Sequence, residues 1–158
     1  MSDQGISLYT DGACSNNQER INSGGWGTVL FYNDHYKELY GGEKNTTNNR
    51  MELLAIIKGL EAIKSSQLPV TIYSDSAYIV NCFKDCWYVK WRRNGWQTSK
   101  KTPVENRDLW ERLLELVEKK IGTERITWVK VKGHSGDKYN EIADQLARKG
   151  AEEISLSE

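Results

Sequence analysis

The chain has 158 residues, 38% hydrophobic and 28% charged, with 22 basic and 22 acidic side chains and a net charge of zero. That length suits one domain with a sizeable core, and the even balance fails the simple basic-protein test for nucleic-acid binding. No apolar run approaches the roughly 20 residues of a membrane span, the N-terminus lacks the form of a secretory leader, and three cysteines with two histidines make neither a disulfide framework nor a Cys/His zinc site.

A cytoplasmic protein is therefore expected. Residues 6–12 alternate as a strand that ends on Asp11. Residues 14–25, rich in Asn, Ser and Gly, read as a loop. Residues 26–32 and 36–40 form a hairpin turned at Asn33-Asp34. Residues 50–64 carry a helical stripe, with Asn49 as the candidate cap and Glu52 at capping-box spacing. After Pro69 a second strand repeats the pattern of the first and ends on Asp75. Residues 76–84 are a short helical stretch. The segment 87–101 follows, with Trp87, Trp91 and Trp96 among Lys90, Arg92, Arg93, Lys100 and Lys101 and no acid.

Thr102-Pro103-Val104-Glu105 predicts a helix start, with Thr as cap and Pro at the first position. Leu109, Leu113, Leu116 and Val117 are its buried stripe and Gly122 its stop. Residues 125–132 alternate as a final strand, and Gly133-His134-Ser135-Gly136 is a loop. The last helix places Tyr139, Ile142, Ala143, Leu146 and Ala147 on one stripe, and the acidic tail 151–158 is expected to fray. The order predicts one mixed α/β domain over residues 1–158, its core about 5–150.

Two strands that each deliver an aspartate at the C-terminal tip form the central clue. As parallel neighbours about 4.8 Å apart, they aim both carboxylates at one small site, the usual binding position in such a sheet. Adjacent anions require a cation. Glu52 has two readings: a capping-box glutamate, or a carboxylate at the edge of the Leu53, Ile56, Leu60 and Ile63 stripe, within reach of the sheet. Asp144 lies roughly 130° from the centre of the last helix's stripe and reads by itself as a surface residue. His134 is either simply solvated or a proton carrier near neutral pH.

Taken together, several motifs resemble type 1 ribonuclease H. They are Tyr9-Thr10-Asp11-Gly12, the run from Thr46 to Leu53, Ser74-Asp75-Ser76, Gly95-Trp96, Pro103-Val104 with Asn106 and Asp108-Leu109-Trp110, the run from Trp128 to Gly136, and Asn140-Glu141 with Ala143-Asp144 and Leu146-Ala147. The resemblance implies a five-stranded mixed sheet flanked by helices, with a basic handle. It also implies endonucleolytic hydrolysis of the RNA strand of RNA–DNA hybrids, leaving 5′-phosphate and 3′-hydroxyl ends. Asp11, Glu52, Asp75 and Asp144 would be the metal ligands for two Mg²⁺ ions, with Mn²⁺ as substitute, and His134 a proton shuttle. Glu141 would assist.

Gly12, Asn17, Asn48 and Asn49 would line the minor groove of the hybrid, Thr47 and Asn106 would hold a DNA phosphate, and Trp87, Trp91, Arg92, Arg93 and Trp96 would belong to the handle. A small core beneath the handle is an equal reading for Trp91. The expected partner is a hybrid duplex, with no membrane, no obligate protein partner and a monomeric state. Two positions depart from the family pattern. Ala77 stands where many members carry Gln, and the loop 16–23 is longer than the usual short Gly/Pro turn. Rival readings are a related two-metal nuclease of the strand-transfer kind, a hybrid-binding module without catalysis, and a ribonuclease H domain of a reverse transcriptase.

Overall fold

Ile6 and Leu8 of one strand and Val70 and Ile72 of another are buried in a single cluster with Leu53, Ile56 and Leu60 of a helix, so alternate residues of both strands face the same apolar layer. The computed structural model describes residues 5–14, 22–64, 67–132 and 137–157. Its strands are β1 (Ile6–Cys14), β2 (Ser23–Tyr32), β3 (His35–Lys44), β4 (Val70–Ser74) and β5 (Ile126–Lys130), and its helices are α1 (Asn48–Ala62), α2 (Ala77–Lys84), α3 (Trp87–Arg93), α4 (Arg107–Glu115) and α5 (Lys138–Leu156). The sheet order is β3-β2-β1-β4-β5. β1 pairs antiparallel with β2, which pairs antiparallel with β3, while β1–β4 and β4–β5 are parallel.

Helices cover both faces. Adjacent residues of β2 show why: the Thr28 hydroxyl donates to the Ala55 carbonyl of α1 at 2.7 Å, while Gly27 lies against α5 on the other side. A Cβ at Gly27 would come within 2.7 Å of the Ala147 nitrogen, so only glycine permits this approach. The layer under α1, α2 and α4 holds Leu8, Ile72, Trp110 and Trp128; the layer under α5 holds Tyr9, Val29, Ala143 and Leu146.

The structure corrects four local expectations. First, α1 begins at Asn48 and its cap is Thr47, whose hydroxyl accepts from the Arg50 N–H at 3.2 Å. Asn49 is already inside the helix, so Glu52 stands outside any capping box. Second, Thr102-Pro103 starts no helix. Thr98 N–H donates to the Thr102 carbonyl at 2.7 Å, Val104 N–H to that of Trp96 at 2.9 Å, and the Thr98 and Thr102 hydroxyls pair at 2.7 Å. This tight turn removes the residues from the helix, which starts instead at Arg107 after Asn106 at φ 61.

Third, the tryptophan-rich segment contains the helix α3, entered through Cys86 in the left-handed region at φ 57. Fourth, the acidic tail does not fray: α5 runs to Leu156, and Tyr40 of β3 donates to the Glu153 carboxylate at 3.0 Å. Gly122, at φ 104, ends the π-helical turn Leu116–Ile121 that prolongs α4, as the sequence predicted for the helix stop.

Candidate active site

The register Tyr9↔Tyr73, the last pair between β1 and β4, brings Asp11 and Asp75, each two residues further on, to the place where the two strands part; β1 itself runs on to Cys14 beside β2. Asp75 follows the last residue of β4, where the chain turns sharply: the Ser74 hydroxyl accepts from Ser76 N–H at 3.1 Å, and the Ser76 hydroxyl caps α2 by accepting from Ile79 N–H at 3.2 Å. Glu52 comes from the first turns of α1 and is 8% exposed, close to the 7% of Asp11. What lets α1 lie this near β1 is Gly12, where a Cβ would stand 2.6 Å from the Glu52 nitrogen.

One carboxylate oxygen each of Asp11, Glu52 and Asp75 lies within 4.8 Å of the others. Gly12 N–H donates to Asp11 Oδ1 at 2.9 Å. Glu52 Oε1 and Asp75 Oδ1 are buried without a hydrogen-bond partner among the described residues. Burial, then the Asp75 charge, then Asp144 push the Asp11 carboxyl up to about 8. Burial, followed by Asp75 and Asp11, raises Glu52 well above the ordinary carboxylate range. Such a cluster resists full ionisation by itself. Orphaned, hard oxygen donors gathered this closely fit a divalent cation.

Asp144 lies on the second turn of α5, outside that closest trio. It is near enough to Asp11 to raise its pKa through a side-chain hydrogen bond, and it pairs with Arg148 at 2.9 Å. The helical wheel left it at the surface; the close packing of α5 on β1 and β2 makes it half-buried. His134 and Asn17 lie outside the described residues.

Around the cluster, Asn48 and Asn49 are exposed on the first turn of α1, beside the Thr47 cap. Asn106 precedes α4 and places no side-chain cap on it. The handle differs from an open stacking platform. Trp91 and Trp96 are buried, their rings 5.9 Å apart, and Trp91 meets Trp110 edge-on at 5.2 Å. Trp87 is half-buried against Tyr78. Arg92 and Arg93 are both exposed, and Arg92 makes a two-pronged ion pair with Glu118, at 2.8 and 2.9 Å. The sequence reading missed two organising residues. Arg50 joins Glu43 of β3 at 2.8 Å, and Asn22 holds the backbone of Thr46. No local signal marked Asn22, one of several asparagines in a polar loop. A cleft of about 360 Å³ lined by Ile6, Tyr32, His35 and Lys64 lies at the opposite end of β1 from Asp11 and belongs to no part of this site.

Comparison with known proteins gives one family. The family model for RNase H matches residues 3–152. The chain is 52% identical to the ribonuclease H of Syntrophomonas wolfei over 143 residues, covering 90% of this chain and 93% of that protein. It is 48% identical to ribonuclease HI of Neisseria meningitidis serogroup B over 152 residues, or 96% of this chain and 99% of that one. Among solved structures, LC9-RNase H1, a type 1 RNase H with the type 2 active-site motif, superposes with a TM-score of 0.80 at 29% identity, covering 97% of this chain and 74% of that one. LC11-RNase H1 in complex with an RNA/DNA hybrid shares the fold, at 21% identity and a TM-score of 0.69 over 96% of this chain and 99% of that one.

Proposed function

The chain belongs to the ribonuclease H family and is an endoribonuclease that hydrolyses the RNA strand of RNA–DNA hybrids; we propose that it does so with two Mg²⁺ ions held by Asp11, Glu52, Asp75 and Asp144. The observation that carries this reading is the meeting of three carboxylates from β1, α1 and the end of β4, two of them with buried oxygens that no donor among the described residues reaches. Held by these residues, a pair of hard cations would supply charge stabilisation for the scissile phosphate and a lowered pKa for the attacking water.

The chain's own groups do the rest. Asp11 is the central ligand, oriented by Gly12 N–H, and it has carboxylate neighbours on both sides. Glu52 and Asp75 deliver the oxygens that lack partners among the described residues, and Asp144 completes the set from α5. His134 carries a proton near the departing 3′-hydroxyl, a role suited to an imidazole at neutral pH. The products are 5′-phosphate and 3′-hydroxyl ends.

Asn48, Asn49, Asn17 and the Gly12 backbone read the minor groove, where the RNA 2′-hydroxyls distinguish hybrid from DNA duplex. The Thr47 hydroxyl already accepts from Arg50 N–H, which leaves its own proton to donate to a DNA phosphate beside Asn106. In the handle, Lys90, Arg93, Lys100 and Lys101 provide phosphate contacts, with Trp87 at their edge; Trp91 and Trp96 support the handle from beneath. In this reading the protein works in the cytoplasm as a monomer; an odd count of three cysteines suits a reducing compartment.

The test compares a hybrid with double-stranded RNA, double-stranded DNA and single-stranded RNA, with Mg²⁺ and with EDTA. The expected result is cleavage of the hybrid's RNA strand alone, lost in EDTA. Cleavage that survives chelation would remove the metal assignment.

A further inference from the structure

The turn from β3 into α1 is held by a residue from the far side of the β2–β3 ladder. Beyond the last strand pair, Ser23↔Lys44, Asn45 N–H donates to the Asn22 carbonyl at 2.8 Å. At Asn45 the chain leaves the strand, with φ 57. The ladder nevertheless continues for one more residue, because the Asn22 side chain takes the place of backbone. Thr46 N–H donates to Asn22 Oδ1 at 2.9 Å, and Asn22 Nδ2 donates to the Thr46 carbonyl at 3.0 Å. A primary amide presents an acceptor and a donor side by side, as a peptide group does. The same Nδ2 reaches Cys14 Sγ at the end of β1, 3.2 Å away. One half-buried side chain thus ties together the end of β1, the start of β2 and the entry to α1.

Thr46 is followed by Thr47, Asn48 and Asn49. We propose that Asn22 is a positioning residue for hybrid recognition, fixing the turn that presents these three side chains to the minor groove and the DNA phosphate. The proposal rests on the functional reading above and extends it to a residue that touches neither metal nor substrate. It also assigns a task to the long loop of this chain, whose last residues supply a tie that a short Gly/Pro turn has no side chain to make. The body of α1 does not depend on Asn22. Gly12 packs against the backbone of Met51 and Glu52, and Arg50 is bonded to Glu43. Losing Asn22 therefore loosens the approach to the helix while Glu52 stays in place, so binding suffers and the chemical step does not.

Asn22→Ala should raise KM for a hybrid about five- to tenfold, the scale of one or two lost hydrogen bonds, with kcat within about twofold of the parent. Equilibrium binding of the hybrid in EDTA should weaken by the same factor, and binding of a DNA duplex of equal length should not, so discrimination shrinks. Asn22→Asp keeps the acceptor for Thr46 N–H but sets a carboxylate oxygen against the Thr46 carbonyl; it should weaken hybrid binding at least as much as alanine, and it decides the question by the same ratio if the alanine variant does not fold. A parent that cuts hybrid while both variants keep the parental KM and hybrid-to-DNA ratio overturns the proposal. So does a loss confined to kcat or to melting temperature. A parent that fails to cut hybrid at all overturns the functional reading instead.

Discussion

The rings of Tyr9 and Tyr73 stack 4.2 Å apart and within 6° of parallel, each two residues before an aspartate of the carboxylate cluster. Side chains two apart share a face of the sheet, so the stack and the Asp11–Asp75 pair are successive layers on the same side. Tyr139 of α5 closes on Tyr9 at 5.6 Å. A slip of either strand by one residue would break the stack and turn one aspartate away. The tyrosines thus hold together two charges that repel each other.

That repulsion is measurable. Two carboxylates about 4 Å apart at an effective dielectric near 20 repel by roughly 4 kcal/mol, softened by water and proton uptake. Asp11→Asn keeps the shape and removes one charge. Without metal it should melt about 2–4 °C above the parent if about 1 kcal/mol is released, while its activity falls to background. Excess Mg²⁺ should shrink the gain, since bound cations stabilise the parent by mass action. A calorimetric melting point at or below the parent's would exclude Asp11 from the cluster.

The gain should also depend on pH in a defined direction. The Asp11 carboxyl, pushed up to about 8 in the fold from its ordinary value of 3.8, holds its proton more tightly folded than unfolded. Its contribution to stability is fully present below about 3.8 and disappears as pH rises through about 8. Glu52 acts in the same sense. The metal-free parent should therefore lose stability relative to Asp11→Asn between pH 5 and 9, with the difference levelling off above the upper value. Thermal melts of both proteins in EDTA across that range check this, and parallel curves would contradict it.

The handle should divide into working and structural cations. Replacing Lys90, Arg93 and Lys101 with Ala should leave the fold intact and lower the slope of log affinity against log salt by about 2–3 for a hybrid, near 0.9 per lost phosphate contact. Arg92→Ala should change the slope little and the melting point more, because it leaves Glu118 unpaired. Binding titrations from low to moderate salt separate the two, and an unchanged slope in the triple variant would make the basic run a solvated face.

Cys86 connects α2 to α3 at φ 57, ψ 42. A side chain in that region costs roughly 1–2 kcal/mol, which glycine avoids. Glycine returns part of the gain through its more flexible unfolded chain. Cys86→Gly should raise stability by a net of about 0.5–1 kcal/mol in urea titrations, without altering the slope of the unfolding transition. A loss of stability would mean that the thiol's contact with the Phe83 carbonyl outweighs the backbone strain.

Strand period carried most of what the sequence revealed. β1 and β4 were legible because each alternates up to an aspartate, although β1 runs on to Cys14 and Asp75 stands one residue beyond β4, and the turn at Asn33-Asp34 placed the hairpin correctly. Glu52 was ambiguous because Asn49 happened to stand three residues before it, and only the position of the Thr47 cap separates capping from clustering. Thr102-Pro103-Val104-Glu105 had every local mark of a helix start, and tertiary hydrogen bonds to Trp96 and Thr98 outweighed them. Composition announced that the handle was basic and aromatic but could not tell which way the rings faced or that Arg92 would find Glu118. Asn22 was invisible because its partners are the backbone groups of a residue distant in sequence.

Asp11 belongs to β1 and Asp144 to α5, with Glu52 and Asp75 between them in the chain. The segments β1 to β3 with α1 can pair locally, but β4 must insert beside β1 to bring Asp75 to Asp11 and Glu52, and α5 must dock across the sheet to bring Asp144 near Asp11. Non-local pairing of this kind is the slow part of folding. Asp144 therefore reaches the neighbourhood of Asp11 late, only when α5 has docked beside β1.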